Sequence, residues 1–149
     1  MISCGEDPTQ FSTEAFQEKV INLKRQEVTF QSVLDTHKGR KILIDVWASW
    51  CGDCIEGLPN LKKLQKENPE VAYVFLSLDK TINSWRKGID RFQIEGDHYF
   101  MMSGKKGGLG SFLGLWWIPR YVVVNEKGEI TLFKATKITD KKILEALKK

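Results

Sequence analysis

The run Ile42-Leu43-Ile44-Asp45-Val46-Trp47, followed closely by Trp50-Cys51-Gly52-Asp53-Cys54, decides how this chain is read. The first six residues are apolar except for Asp45, the pattern of a strand covered on both faces. After it, Cys54, Ile55, Leu58, Leu61 and Leu64 recur at helical spacing. The two cysteines thus fall at a strand-to-helix junction, two residues apart, where they can close into a disulfide. The free N–H groups and dipole of a helix N-terminus favour negative charge, so Cys51 is expected to ionise more readily than an ordinary thiol. The thiolate is the form that attacks disulfides.

Spacing alone leaves other readings open. Structural zinc needs four ligands, and the remaining candidates, Cys4, His37 and His98, show no paired spacing. Haem attachment needs His directly after the second cysteine, and Ile55 stands there. Two ordinary buried cysteines remain an alternative. Asp45 is the informative exception in its strand. A buried lone carboxylate is costly and its pKa should rise. It is either satisfied by local hydrogen bonds or placed to accept a proton from the second cysteine.

With 149 residues, the chain has the length of one domain with one good core. The net charge of +4 is spread along it, which reads as a solvated surface rather than a nucleic-acid site. No apolar run approaches the roughly 20 residues of a membrane span. Residues 1–11 are expected as a flexible polar leader and 12–149 as a single domain. Within the leader, Ile2-Ser3-Cys4-Gly5 resembles the end of a bacterial lipoprotein signal, which makes Cys4 a candidate for lipidation. The plainer reading is a free thiol on a tail.

From the N-terminus, the pattern predicts a helical turn over 12–17 and short strands over 20–23 and 27–30. The link 24–26 between them lacks the Gly or Asn of a firm hairpin. A brief helix over 32–35 and the strand 41–47 follow. The helix after the cysteines should kink at Pro59, which lacks a backbone donor, and end at Asn68-Pro69. A second buried strand (71–78) makes a parallel crossover the default. Then come a helix (81–89), an extended stretch (99–102) and a short helix (111–115). The glycines 104, 107, 108 and 110 fit no phosphate-binding pattern. Ile118-Pro119 precedes a hairpin (120–124, 129–133) turning at Asn125-Glu126-Lys127-Gly128. Thr139 or Asp140 caps a last helix. His37 and His98 are expected at the surface. Trp47, Trp116 and Trp117 are read as core or groove lining, without a chemical role.

Taken together, the strand, the CxxC pair, the kinked helix, Ile118-Pro119 before a hairpin and the terminal helix resemble the thioredoxin superfamily. The N-terminal extension and the stretch between Leu78 and Trp116 resemble its extracytoplasmic TlpA/ResA-type branch. The resemblance covers residues 20–147. It implies an α/β, thioredoxin-like fold: a central mixed sheet flanked by helices, with an N-terminal β extension and an insert before the cis-proline strand. It further implies that Cys51 is the exposed nucleophile and Cys54 the buried resolving cysteine. Asp45 is the acid that takes the Cys54 proton. Pro119 is cis, and Trp50, Gly52, Asp53, Ile118 and Pro119 frame the substrate. Asp53 departs from the family's usual Pro. Its charge opposes ionisation of Cys51, so a reducing or near-neutral dithiol is expected.

The function implied is a thiol–disulfide oxidoreductase that reduces protein disulfides. An oxidase or isomerase, or a non-enzymatic binding module on the same fold, is the alternative. A peroxidase is disfavoured because the Thr-x-x-Cys context is missing. The resemblance implies no cofactor and no metal. Protein disulfide substrates and an upstream thiol donor are the expected partners, with no nucleic acid and a monomeric state. The expected location is the bacterial periplasm or cell envelope, with membrane association only through a lipidated Cys4.

Overall fold

The run 42–47 forms an interior strand of a seven-stranded mixed sheet, and all six residues are buried. The architecture is that of a computed structural model, which describes residues 6–149; Cys4 lies outside the described residues. In chain order the elements are α1 (Thr13–Gln17), β1 (Lys19–Asn22), β2 (Glu27–Thr29), α2 (Phe30–Thr36), β3 (Ile42–Trp47), α3 (Gly52–Glu56) and α4 (Leu58–Glu67). They continue with β4 (Ala72–Ser77), α5 (Ile82–Phe92), β5 (Asp97–Phe100), a 3₁₀ turn at Gly104–Lys106, α6 (Gly108–Leu113), β6 (Arg120–Val124), β7 (Ile130–Ala135) and α7 (Lys141–Lys148). The strand order is β2-β1-β5-β4-β3-β6-β7. Strands β3, β4 and β5 run parallel, and β6, β7, β1 and β2 add antiparallel edges.

Alternation along β3 divides the core in two. Ile42, Ile44 and Val46 pack with Phe11, Ala15, Phe30, Val33, Leu109 and Leu113, so α1, α2 and α6 cover that face. Leu43 and Trp47 pack on the other face with both cysteines, Leu61, Trp85 and Ile143, under α3, α4, α5 and α7. The side chain of Asp45, between Leu43 and Trp47, therefore belongs to the face that carries the cysteines.

Several local expectations change. The leader is not wholly outside the core: Phe11 is buried against Phe30 at 5.0 Å between ring centres, and Thr9 accepts a hydrogen bond from the Ile130 N–H. The turn after β1 needs no Gly, because the Asn22 side chain accepts from both Lys24 and Gln26 N–H at 2.9 Å, while Arg25 takes a positive φ of 64°. The helix after the cysteines breaks at Gly57, two residues ahead of Pro59. Pro59 has no N–H for the Ile55 carbonyl, and the Gly57 N–H closes the last turn of α3 on the Asp53 carbonyl at 3.2 Å. His98 is not at the surface: it is buried, stacked on Phe75 at 4.8 Å, and bonded through Nε2 to the Ile94 carbonyl. His37 is half-buried and paired with Asp97 at 2.8 Å.

Candidate active site

Two neighbouring strand ends build the turn that presents the cysteines. Trp47 pairs with Ser77, so the residues that follow β3 and β4 meet above the sheet. Asp79 is 3 % exposed and accepts from the Ser49 N–H at 3.1 Å, the Ser49 hydroxyl at 2.6 Å and the Ser77 hydroxyl at 2.7 Å. The chain then turns through an Ala48 carbonyl to Cys51 N–H bond of 3.1 Å. Helix α5 closes on this turn at Gly88, where a Cβ would lie 2.5 Å from the Ser49 Cβ. Neither Asp79 nor Gly88 was singled out in the sequence. The available signal was the parallel pairing itself, which places polar residues after β3 beside polar residues after β4.

Cys51 caps α3, its Sγ accepting the Cys54 N–H at 3.2 Å. Cys51 and Cys54 are joined in a disulfide, with Cα atoms 5.3 Å apart. The expected contrast in exposure is small here, 6 % for Cys51 and 4 % for Cys54. What separates them is position. Cys51 lines an open groove of ≈ 400 Å³, and Cys54 does not. Trp50, Gly52, Asp53, Lys105, Leu115, Trp116, Trp117 and Ile118 complete its walls. The Ile118–Pro119 peptide is cis, and the Ile118 carbonyl lies 3.7 Å from Cys51 Sγ. Asp53 also borders a second groove on the far side of α3, lined by Glu56, Gly57, Pro119 and Tyr121. At Gly52 a Cβ would meet nothing within 4 Å, so neither packing nor backbone demands glycine there.

Asp45 is 4 % exposed, and its Oδ1 has no hydrogen-bond partner among the described residues. Burial pushes its carboxyl up to about 8. Tyr121 lies opposite Asp45 in the β3–β6 register. Burial first, and the Asp45 charge second, drive the Tyr121 phenol well above its ordinary range. Its surroundings thus favour the neutral acid below about pH 8, and the carboxylate that can accept a proton becomes available as pH rises toward and past that value.

The model of the Redoxin family matches residues 22–147. This chain belongs to the Redoxin family. It is 29 % identical over 121 residues to the thioredoxin-like protein YneN of Bacillus subtilis, spanning 78 % of this chain and 69 % of that one. It is 28 % identical over 144 residues to the thiol:disulfide interchange protein DsbE of Yersinia pestis, spanning 92 % and 73 %. A solution structure from Bacteroides vulgatus, provisionally named a thiol-disulfide oxidoreductase, superposes with a TM-score of 0.75 at 28 % identity, covering 91 % of this chain and 87 % of that one. A Bacteroides fragilis thiol-disulfide oxidoreductase shares the fold, with a TM-score of 0.72 at 21 % identity, covering 89 % and 98 %. This Redoxin-family chain is a thioredoxin-like thiol–disulfide oxidoreductase, with Cys51 and Cys54 at disulfide distance in the spacing that dithiol exchange uses. The family implies protein disulfides as substrates and thiol redox partners in general.

Proposed function

We propose that the protein acts as a reductant of protein disulfides, with Cys51 as nucleophile, Cys54 as resolving thiol and Asp45 as the acceptor of the Cys54 proton. The observation that carries this reading is the arrangement of the disulfide between an open groove that reaches Cys51 but not Cys54 and a buried carboxylate, on the cysteine-bearing face, whose Oδ1 has no partner among the described residues. The Cys51 thiolate attacks a client disulfide and forms a bond to one client sulfur, while the other leaves as a thiolate and takes a proton from solvent. Cys54 passes its proton to Asp45 and attacks Cys51 Sγ. The client sulfur bonded to Cys51 departs as a thiolate and is protonated by solvent, and the Cys51–Cys54 disulfide remains for an external thiol donor to reduce. Ile118 offers backbone groups to an extended client in strand-like pairing, and Gly52 leaves the approach to Cys51 clear.

Asp53 supports the reducing direction. It is an exposed carboxylate two residues from Cys51 that disfavours the thiolate, whereas strong oxidants stabilise their reduced, ionised form. A place in the bacterial cell envelope, anchored through Cys4, belongs to the same proposal. It rests on Ile2-Ser3-Cys4-Gly5 and on the DsbE relatives.

Equilibration with glutathione tests the direction: a potential at or below about −200 mV is expected, and one near −120 mV would make the protein an oxidant. Cys54→Ser tests the roles, because it should hold clients in a mixed disulfide on Cys51. Recovery of no such adduct from cells would refute the assignment.

A further inference from the structure

We propose that Trp116 and Trp117, with Lys105 beside them, select the client: an extended protein segment with a large apolar or aromatic side chain next to its reacting cysteine and a carboxylate within reach of Lys105. The inference rests on the oxidoreductase reading above and adds the class of client to it.

Three indoles surround the reactive sulfur in open solvent. Trp116 is 91 % exposed, Trp50 64 % and Trp117 60 %, and all three line the groove that contains Cys51. Isolated surface apolar residues need no explanation, but a cluster of indoles around one groove marks a contact site. Tryptophan offers a large rigid surface at little entropic expense and dominates binding hot spots.

The lip is also anchored from beneath. Helix α6 ends at Gly114, with φ +63°, and the Gly114 carbonyl accepts from the Trp116 N–H at 2.9 Å. The same carbonyl accepts from Arg120 at 3.3 Å. Arg120 is 2 % exposed. Its other arm reaches the Phe133 carbonyl at 3.3 Å, its guanidinium covers the Phe133 ring at 4.9 Å, and its Nε has no partner among the described residues. Burying a guanidinium this way is unfavourable in itself. Its effect here is to fix the backbone that carries the tryptophans. A rigid apolar lip binds with less ordering loss than a loose one.

Charge gives the groove a direction. Lys105, in the 3₁₀ turn, and Asp53, at the start of α3, are the two charged residues lining the Cys51 groove, while the second groove beyond α3 carries both Glu56 and Lys137. A client carboxylate is attracted to the Lys105 side and repelled from the Asp53 side. Such complementarity sets register and suppresses wrong partners.

The test uses two disulfide-bridged peptides of equal length, one with Trp and Asp beside the cysteine and the other with Ala and Lys, together with bis(2-hydroxyethyl) disulfide. The readout is the ratio of kcat/KM values. The wild type should favour the Trp/Asp peptide at least tenfold over the Ala/Lys peptide. Trp116→Ala should remove most of that preference, Trp116→Phe should keep most of it, and Lys105→Glu should reverse the part due to charge. Both side chains are exposed, so the variants should fold. Equal rates on the two peptides, an undiminished preference in Trp116→Ala, or faster turnover of the small disulfide than of either peptide would each overturn the client selection and leave the oxidoreductase reading standing. No turnover of any of the three disulfides by wild type would overturn both.

Discussion

Asp45 and Asp79 are equally hidden, 4 % and 3 % exposed, one within β3 and the other just past the end of β4. Their surroundings are opposite. Asp79 receives the Ser49 N–H and two serine hydroxyls, and through them ties the cysteine-bearing turn to the sheet. Asp45 has an oxygen with no partner among the described residues and a carboxyl pushed up to about 8. Burial alone therefore does not mark a chemical group. A carboxylate whose oxygens are occupied holds structure, and one left unpartnered is free to take a proton near neutral pH.

The largest effect that can break this contrast is on stability against pH in the disulfide-bonded protein. Asp45 is raised above its unfolded value, so the folded state binds more protons between the ordinary carboxylate range and about pH 8. Stability then falls as pH rises through that window, by at most ~1.4 kcal/mol per pH unit, and levels off above it. Buried His98, whose pKa is lowered, has the opposite sign at lower pH, so the difference between wild type and Asp45→Asn between pH 7 and 8 is the cleanest reading. Denaturant titrations should show the variant gaining on the wild type as pH rises. Parallel curves would mean that Asp45 is not held neutral.

Next in size, Asp79→Ala leaves a backbone donor and two hydroxyls without their acceptor and should cost about 3 kcal/mol in urea unfolding. The wild-type slope above pH 7 should remain. Gly88→Ala crowds Ser49 and Trp47 but gains helix propensity, for a net loss of about 1 kcal/mol in thermal unfolding. Smallest is Gly52→Ala, where open space keeps the stability change within about 0.5 kcal/mol. A slower reaction with a protein client in that variant would then report crowding of the client rather than damage to the fold.

Asp45 was legible in the sequence because it interrupts an apolar run, and period-2 alternation places it on the face of Leu43 and Trp47. The CxxC junction and Ile118-Pro119 were legible because each is a local pattern. Asp79 was not: in Ser77-Leu78-Asp79-Lys80 it reads as a loop, and Ser49 is thirty residues away until β3 and β4 pair. His98 misled because a lone polar residue carries no sign of the Phe75 ring and Ile94 carbonyl that satisfy it. The turn after β1 was hidden for a related reason, since Asn22 shapes it from inside the strand. The exposed tryptophans showed the reverse limit. The sequence left core and groove lining open for Trp47, Trp116 and Trp117, and only the folded chain separates buried Trp47 from Trp116 and Trp117, which line the Cys51 groove.

The most direct test of the account is the rate at which Cys54 releases a client from a preformed mixed disulfide on Cys51, measured against pH in wild type and Asp45→Asn. The wild-type rate should climb through about pH 8 and then level off as Asp45 becomes able to accept the proton. In the variant the rise should move to higher pH, as a buried thiol without a base requires, and the rate at pH 7 should fall at least tenfold. Superimposable profiles would contradict the role assigned to Asp45.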